Sequence, residues 1–489
     1  MMQIVGRFLK LITGYSLVTV LTPLLNVLLT PFYTYVLSPF EYGILDVGLT
    51  FQLITTTIVL LGFDQVLSSR LLNGDKDYQQ TMIKSVLFIV TVTGFAVAIV
   101  IYLLASNLTV LFFQDNNKAY ILQLLSISIA VIPIYNLAVV ILKLQMNVRQ
   151  VNILGLCFIA LLLLSNVIFV FSLHLGIAGV IIANSIAYGL GSILSLYFLR
   201  ASWRANFSLA LIQSLLTASL YIVPAILSWT LLANANRLIL TQFVSPTDLG
   251  IFAIANKIAM LMTVLFGAVW WSAWFPIAMP LANNQEAPGI FARMFEYCVA
   301  FFMLAALIYG SFAPELLAAF INVEYQSAAP HALLLITFAG PLLLIASFFN
   351  FGLYIRQRLH ILSLIYLGSA LVNIVVTIWL APIFGIWAAG WASIAGGITL
   401  IIFSYKTGQN AFFVPYRLWR FFLLFASYAT IIAIYLIWPA LFHVKSLKVV
   451  AVLFFISELF ILRIVSWTDL RQMYISLGRR PVAVVSAHE

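Results

Sequence analysis

The feature that most constrains this sequence is a succession of long stretches with almost no charged residues, separated by short polar segments. About 20 apolar residues suffice to cross the hydrocarbon core of a bilayer. A chain inside lipid must satisfy its backbone hydrogen bonds internally, as a helix does. The sequence therefore predicts an all-α integral membrane protein with about 14 transmembrane helices. The runs lie near 11–37, 44–62, 83–105, 121–142, 151–173, 176–199, 213–243, 249–275, 294–313, 330–352, 361–380, 384–404, 421–440 and 447–465.

The composition excludes an ordinary soluble domain. Charged residues account for only 8% of the 489 positions and hydrophobic residues for 64%, whereas soluble chains carry about 25% charged residues. The first run, 11–37, is too long for the core of a signal peptide, so we expect it to remain as the first span. Cys157 and Cys298 both fall inside apolar runs, which predicts neither a disulfide nor a metal site.

The basic residues predict the orientation of the chain. With the amino terminus in the cytoplasm, 19 of the 24 Lys and Arg residues fall in cytoplasmic segments, where membrane proteins concentrate them. Both termini are then cytoplasmic. The net charge of +10 follows from this topology, so no nucleic acid partner is expected. The 19 residues are Arg7, Lys10, Arg70, Lys76, Lys84, Lys143, Arg149, Arg200, Arg204, Arg293, Arg356, Arg358, Lys406, Arg417, Arg420, Arg463, Arg471, Arg479 and Arg480.

Two similar heptapeptides, which share four of their seven residues, indicate an internal repeat. The first is SPFEYGI at 38–44, and SPTDLGI follows at 245–251, 207 positions later. In each copy Ser fits an N-cap, Pro the first helical position and an acid, Glu41 or Asp248, the third position after the cap. An even number of spans separates the copies, so the two halves have the same orientation. Parallel repeats of this kind suit a transporter with alternating access. A Ser-Pro cap is also common, which leaves a chance match as the alternative.

This repeat predicts the domain organisation. An offset of 207 residues places span 1 on span 7 and span 2 on span 8. We therefore expect a first lobe of six helices at 1–206 and a second lobe of six at 207–410. Residues 411–489 would add two further helices and a cytoplasmic tail.

Three stretches resemble Wzx-type polysaccharide flippases, which export O-antigen and exopolysaccharide units. They are TPFYTYVLSPFEYGILDVGLTFQ at 30–52, LLGFDQVLSSRLL at 60–72, and the run from NRLILTQF to FPIAMP at 236–280. These flippases belong to the multidrug/oligosaccharidyl-lipid/polysaccharide exporter (MOP) superfamily. The family often has Asp before the Arg of helix 7. Here Asn236 precedes Arg237, so a fixed Asp–Arg pair at that spot is not expected.

The resemblance implies a function. Such a flippase moves an undecaprenyl-diphosphate-linked oligosaccharide from the cytoplasmic to the periplasmic leaflet of the bacterial cytoplasmic membrane. Its lumen would be cationic, to match the diphosphate. No cofactor is implied, and coupling to protons or sodium varies within the superfamily. Membrane lipids, a polysaccharide polymerase and other assembly proteins would be its partners.

Four basic residues are candidates for substrate binding. Charged side chains inside a span are costly and need a reason, and Arg237 and Lys257 lie roughly 12 and 18 Å from the caps at the outer surface. Arg offers phosphate a fork of donors and Lys a point charge. Snorkelling to the interface is the alternative. Arg356 and Arg358 form a pair between spans 10 and 11, where setting the topology or contacting anionic headgroups would also explain them.

Three further residues are candidates for gating or ion coupling. Asp46 lies about as deep in span 2 as Arg237 does in span 7, so it could face Arg237 across a cleft or bind a proton. Alternatively, its negative charge could interact favourably with the positive end of the helix dipole at the N-terminus of span 2. Asp64 and Arg70 would form the inner mouth. The aromatic run Trp270, Trp271, Trp274 and Phe275 could stack on sugars, although Trp is ordinary at membrane interfaces.

Three other functions compete with the polysaccharide flippase. A multidrug–cation antiporter of the same fold would more often have twelve spans and a cavity led by carboxylates. A peptidoglycan-precursor flippase would look alike at this level. An integral membrane enzyme, such as a polysaccharide polymerase, would show a sizeable external loop, yet every external connection is short. The sequence also lacks a metalloprotease HExxH and a P-loop, so we expect a transporter and not an enzyme.

Overall fold

The computed structural model describes residues 25, 28–71, 75–113, 115–206, 208–270, 274–438, 440–441 and 444–465. These residues are predominantly helical, and no strand occurs among them. Twelve of the described helices are long and apolar enough to cross a membrane, and each coincides with one of the predicted runs 2–13. The predicted all-α, multi-pass architecture is therefore confirmed.

We number the helices after these runs. Most of run 1 and the whole tail from 466, with Arg7, Lys10, Arg471, Arg479 and Arg480, lie outside the described residues. α14 has 17 residues, slightly fewer than the other spans. The helices are α1 (residues 28–36), α2 (Pro39–Leu60), α3 (Lys76–Phe113), α4 (Ala119–Leu144), α5 (Val148–Ser172), α6 (Gly176–Phe198), α7 (Leu209–Leu240), α8 (Pro246–Val269), α9 (Ala287–Ser311), α10 (Val323–Ile355), α11 (Leu359–Phe384), α12 (Trp387–Ala411), α13 (Leu418–Ile437) and α14 (Lys445–Ile461).

Both heptapeptides begin a helix as the sequence predicts. The Ser38 hydroxyl accepts a bond from the Glu41 amide at 3.3 Å, and the Glu41 carboxylate accepts one from the Ser38 amide at 2.9 Å. In the second copy the Ser245 hydroxyl accepts from the Asp248 amide at 3.2 Å. In both copies the Ser hydroxyl also donates to the acid, at 3.0 Å to Glu41 and at 2.7 Å to Asp248, but of these two caps only the first has the bond from the Ser amide to the carboxylate. Asp is one methylene shorter than Glu, which explains the local difference in the cap.

The two capped turns lie directly against each other. A Cβ atom added to Gly43 would lie 1.9 Å from the carbonyl oxygen of Pro246, and one added to Gly250 would lie 1.9 Å from that of Pro39. Since the same 207 positions relate Gly43 to Gly250 and Pro39 to Pro246, the contact is reciprocal. Only glycine allows so close an approach of two backbones. We call this end of the bundle the capped end.

Helix packing divides most of the molecule into two halves that meet along α2. In the first half, α1–α6, the close pairs include α3 with α4, α4 with α6 and α5 with α6. In the second half, α7–α12, they include α7 with α11, α11 with α12 and α8 with α10. α2 packs on α4 and also extensively on α8. The lobe boundaries drawn at 206 and 410 stay predictions.

The last two helices, α13 and α14, pack on α9 of the second half. The fully buried Lys448 of α14 donates to both carboxylate oxygens of Glu315 at 2.7 Å. Arg420 of α13 lies 3.6 Å from the buried Glu296 of α9. An uncompensated buried charge is strongly destabilising, so these two pairs help to fix the attachment of α13 and α14.

Candidate functional site

A cavity of about 450 Å³ lies between the two halves. This volume falls in the range typical of ligand sites, roughly 300–1,000 Å³. Helices α2, α4 and α6 of the first half contribute to its wall, as do α7 and α8 of the second. Among the described residues, the charged side chains that line it are Asp46, Arg237 and Lys257. Three of the seven predicted site residues are thus brought together.

Arg237 and Asp46 form an ion pair that bridges the two halves. The Arg237 Nε atom lies 3.4 Å from Oδ2 of Asp46, and the two side chains are only 14% and 8% exposed. Arg237 Nη1 also donates to the Thr50 hydroxyl at 3.0 Å. Because Asp46 and Thr50 lie on α2 and Arg237 lies on α7, any separation of these helices must break both contacts.

Lys257 gives the site its excess of positive charge. It is half-buried on α8 and lines the same cavity, and it interacts electrostatically with both Asp46 and Arg237. Two cations therefore face one carboxylate. In the repeat, Lys257 corresponds to Thr50, the hydroxyl that Arg237 contacts. A partly buried site with this net positive charge is suited to an anionic group such as a phosphate.

The capped end of the cavity is closed. The reciprocal contact of Gly43 and Gly250 brings α2 against α8 there. The Tyr325 hydroxyl of α10 also donates to the carbonyl of Leu37 at 2.8 Å, next to the first cap. At the opposite end of α2, the Ser219 hydroxyl of α7 donates to the carbonyl of Leu61. Contacts between the halves thus occur at both ends of α2.

Comparison with known proteins identifies the family. The polysaccharide biosynthesis protein family matches residues 8–280, more than half of the chain. The chain belongs to this family. The resemblance predicted from the sequence is thereby confirmed at family level.

Solved structures show the fold that this chain shares. It is similar to the lipid II flippase MurJ in an inward closed conformation, with a TM-score of 0.71 and 13% identity over 94% of this chain and 99% of that chain. It is also similar to an inward-facing multidrug resistance MATE family transporter of the MOP superfamily, with a TM-score of 0.61 and 16% identity over 82% and 95%. No match was found among curated protein sequences. The chain therefore has the fold of these transporters.

Asn236 replaces the Asp that the family often has before the Arg of helix 7. Its amide Nδ2 donates to the carbonyl of Ala389 at 3.2 Å and to the Ser393 hydroxyl at 3.1 Å. Its Oδ1 accepts from the Thr377 hydroxyl at 3.0 Å. Asn236 therefore joins α7 to α11 and α12, while the carboxylate beside Arg237 comes from α2.

The four remaining predicted site residues do not line the cavity. Asp64 and Arg70 lie on the short helix Phe63–Arg70 that follows α2, and burial raises the pKa of Asp64. Arg356 and Arg358 are exposed in the turn between α10 and α11, where Arg356 Nε donates to the carbonyl of Ala411 at 3.1 Å. Both sites belong to the end opposite the capped end. Their roles in gating and substrate binding stay predictions.

The sequence did not single out the uncharged part of the cavity wall. Trp270 and Trp274, the candidates for sugar stacking, are only 1% and 4% exposed and pack on Phe348 with ring centroids 4.8 and 6.0 Å apart. They belong to the core. Trp271 lies outside the described residues. Trp229 lines the cavity in their place, together with several amide side chains inside apolar runs. The cost of a polar group in lipid is the signal that could have identified the amides.

Proposed function

We propose that this protein is a flippase that moves an undecaprenyl-diphosphate-linked oligosaccharide across the bacterial cytoplasmic membrane during cell-surface polysaccharide biosynthesis. The observation that supports it is the cavity between the two halves, in which Arg237 and Lys257 face Asp46, the one carboxylate among the described lining residues. Membership of the polysaccharide biosynthesis family and the transporter fold agree with it.

The site suggests how the cargo would be held. The guanidinium of Arg237 would bind one phosphate through its fork of donors, and the Lys257 ammonium would attract the other as a point charge. Oδ2 of Asp46 already lies 3.4 Å from Nε of Arg237, so Asp46 would compete with the diphosphate for the donors of Arg237. Binding of cargo would then release Asp46 from Arg237 and weaken the link between α2 and α7.

Transport would proceed by alternating access. With the capped end closed, cargo would reach the cavity from the opposite end, which the basic residues predict to be cytoplasmic. Release would require α2 to separate from α8 at the reciprocal glycine contact. A carboxylate freed from Arg237 would be able to take up a proton, which gives coupling to protons a site at Asp46. Coupling to sodium is the alternative, and no cofactor is proposed.

The charge of the cavity also helps to distinguish between the competing functions. A multidrug–cation antiporter needs carboxylates to hold its cargo, whereas the one carboxylate among the described cavity residues is paired with Arg237. A peptidoglycan-precursor flippase carries the same diphosphate, so the cationic pair suits it equally well. The two flippase functions can therefore be distinguished only by identifying the glycan that the protein moves.

Complementation tests the proposal. In a strain that lacks its own polysaccharide flippase, we expect the wild-type protein to restore surface glycan. Arg237→Ala and Lys257→Ala should abolish the restoration at normal membrane abundance. Lys406→Ala is the matched control, because that cation is exposed on α12 outside the cavity. A wild-type protein that restores no glycan in several strains but protects against cationic drugs would instead support the multidrug function.

A further inference from the structure

A short linker, residues 199–208, carries the chain from the first half to the second. After α6 ends at Phe198, residues Arg200–Arg204 form a 3-10 helix with the sequence RASWR. α6 begins at the capped end, where a Cβ atom on Gly176 would lie 3.8 Å from the Glu41 carboxylate. The linker therefore lies at the opposite end, which the basic residues predict to be cytoplasmic. It does not contribute to the lining of the cavity.

The large exposed side chains of the linker are cations and an aromatic ring. Ser202 is buried, whereas Arg200, Trp203 and Arg204 are exposed. Trp203 is 45% exposed, and Tyr197 in the last turn of α6 is 56% exposed. Trp and Tyr are enriched where a membrane meets water, because their rings are apolar at one end and polar at the other. The linker thus has the composition of a segment that lies among lipid headgroups.

The two guanidinium groups of the linker have no acidic partner among the described residues. Cζ of Arg200 lies 4.5 Å from the ring centroid of Tyr197, and stacking on a ring leaves the N–H donors at the edge of a guanidinium open. Neither Arg200 nor Arg204 forms an ion pair within the described part of the chain. Both side chains can therefore bind an anion without giving up a protein contact of opposite charge.

A different cation holds the linker in place. Nζ of Lys84, on α3, donates to the carbonyl of Ala205 at 2.7 Å. Within the linker, the Ser202 amide donates to the carbonyl of Leu199 at 3.0 Å, and the Ala205 amide donates to that of Ser202 at 3.2 Å. These bonds fix the backbone without the two arginines. The exposed cations can therefore be substituted while the linker keeps its fold.

The second half has a similar sequence at the corresponding place. After α12, its sixth helix, the chain has RLWR at 417–420. Trp419 is 58% exposed, and Cζ of Arg420 lies 5.4 Å from its ring centroid. Arg420, however, lies 3.6 Å from the buried Glu296 and donates to the carbonyl of Arg463 at 3.3 Å. A protein carboxylate thus balances the second copy, whereas in the described part of the chain the first copy has no such partner.

A phospholipid headgroup has the chemistry to balance the first copy. Its phosphate can accept paired, charge-assisted hydrogen bonds from a guanidinium. Lys and Arg next to a membrane are attracted to anionic lipids of the cytoplasmic leaflet. A soluble anion would use the cations of the linker but not its exposed rings. The combination therefore favours an anion with attached acyl chains, against which Tyr197 and Trp203 can pack.

We propose that Tyr197, Arg200, Trp203 and Arg204 form a binding site for the headgroup of an anionic phospholipid. The headgroup would balance the linker cations, as Glu296 balances Arg420, and would hold the connection between the two halves at the membrane surface. The site lies outside the cavity and concerns membrane lipid. It stands or falls independently of the flippase function proposed above.

Lipid binding by the full-length protein tests the site. The protein would be placed in nanodiscs of phosphatidylcholine and phosphatidylglycerol, and bound phosphatidylglycerol would be measured by native mass spectrometry. We expect the double variant Arg200→Gln/Arg204→Gln to bind phosphatidylglycerol at least about tenfold more weakly. The control Arg149→Gln/Lys406→Gln removes the same charge from two exposed residues at the same end and should weaken binding less than about twofold. Equal losses in the two double variants would show attraction by net charge alone and overturn the proposal.

A photoactivatable phosphatidylglycerol locates the bound lipid. It should cross-link to residues 197–206, and Trp203→Leu, which keeps both cations, should reduce this cross-link about threefold. A photoactivatable phosphatidylcholine should give little cross-link there. Cross-links confined to other segments would refute the site. An excess of undecaprenyl diphosphate should leave the cross-link in place; if it abolished the cross-link, the linker would bind a diphosphate cargo and the phospholipid proposal would fail.

Discussion

The two halves of the molecule share a backbone contact but carry different chemistry. Gly43 and Gly250 make the same contact in opposite directions. At other equivalent positions the copies diverge: Asp46 corresponds to Ala253, Thr50 to Lys257 and Thr30 to Arg237. Among the described cavity residues, the first half thus supplies a carboxylate and hydroxyls, and the second half supplies the two cations. A symmetric scaffold can close by one mechanism in both copies while the site between them remains asymmetric, as an asymmetric cargo requires.

The largest expected effect comes from breaking the pair that joins the halves. Arg237→Ala removes a cation from the cavity and leaves the buried carboxylate of Asp46 without its partner, which costs about 3–5 kcal/mol for a buried pair. We expect transport in proteoliposomes to fall at least about a hundredfold. Arg237→Lys keeps the charge but loses the fork of donors, so its loss should be smaller. Equal losses in the two variants would contradict a role for the guanidinium geometry.

The second prediction tests whether the shared glycine contact is needed in both halves. Gly43→Ala and Gly250→Ala each place a methyl group 1.9 Å from a carbonyl oxygen of the opposite copy, so the capped end cannot close as observed. Transport should fall about tenfold for each, the kinetic effect of about 1.4 kcal/mol, and cysteine pairs across the capped end should cross-link less. Gly267→Ala is the control, because a methyl group there meets no atom within 4 Å. The reciprocity would be refuted by unequal effects of the two substitutions.

A third prediction separates the cavity cations from those outside it. Arg356 and Arg358 are exposed at the end opposite the capped end, where charges attract anionic lipids but are screened by salt. If they only assist capture of the cargo, the double substitution to Ala should slow transport about twofold at low salt and less at high salt. A loss as large as that of Arg237→Ala would show that binding is not confined to the cavity.

The smallest expected effect concerns the attachment of α13 and α14. Burial raises the pKa of the Glu315 carboxyl while the hydrogen bond from Lys448 lowers it, and the net result lies below the ordinary value of 4.5. A depressed pKa stabilises the folded state above pH 4.5, and this stabilisation is lost as the pH falls through the folded-state value. The Glu315 side chain is 32% exposed, so water can solvate it without its partner, and we expect Lys448→Met, which removes the buried cation, to lose only about 1 kcal/mol near neutral pH. Thermal unfolding in detergent should show this deficit, and it should shrink below pH 4.5.

Much of the fold could be predicted because its causes are local. Hydrophobic length predicts α2–α13, since a helix must span the bilayer whatever its neighbours are. The Ser-Pro-x-acid pattern predicts where α2 and α8 begin because the cap is made within four residues. The cost of charge in lipid likewise identified Asp46, Arg237 and Lys257 as residues that need a partner.

The sequence alone therefore determined the set of spans, the two N-caps at which α2 and α8 begin, and the charged residues that needed a partner. Only the tertiary structure decided what they meet. A membrane helix is apolar on its lipid face as well as its packed face, so the pattern does not show which way a side chain points. Asn236 and Asn184 are both amides in apolar runs, yet one fastens helices and the other lines the cavity. Trp274 likewise packs in the core, whereas Trp229 lines the cavity. The packing of helices that are distant in sequence, and not the local sequence, determines which surfaces line the cavity.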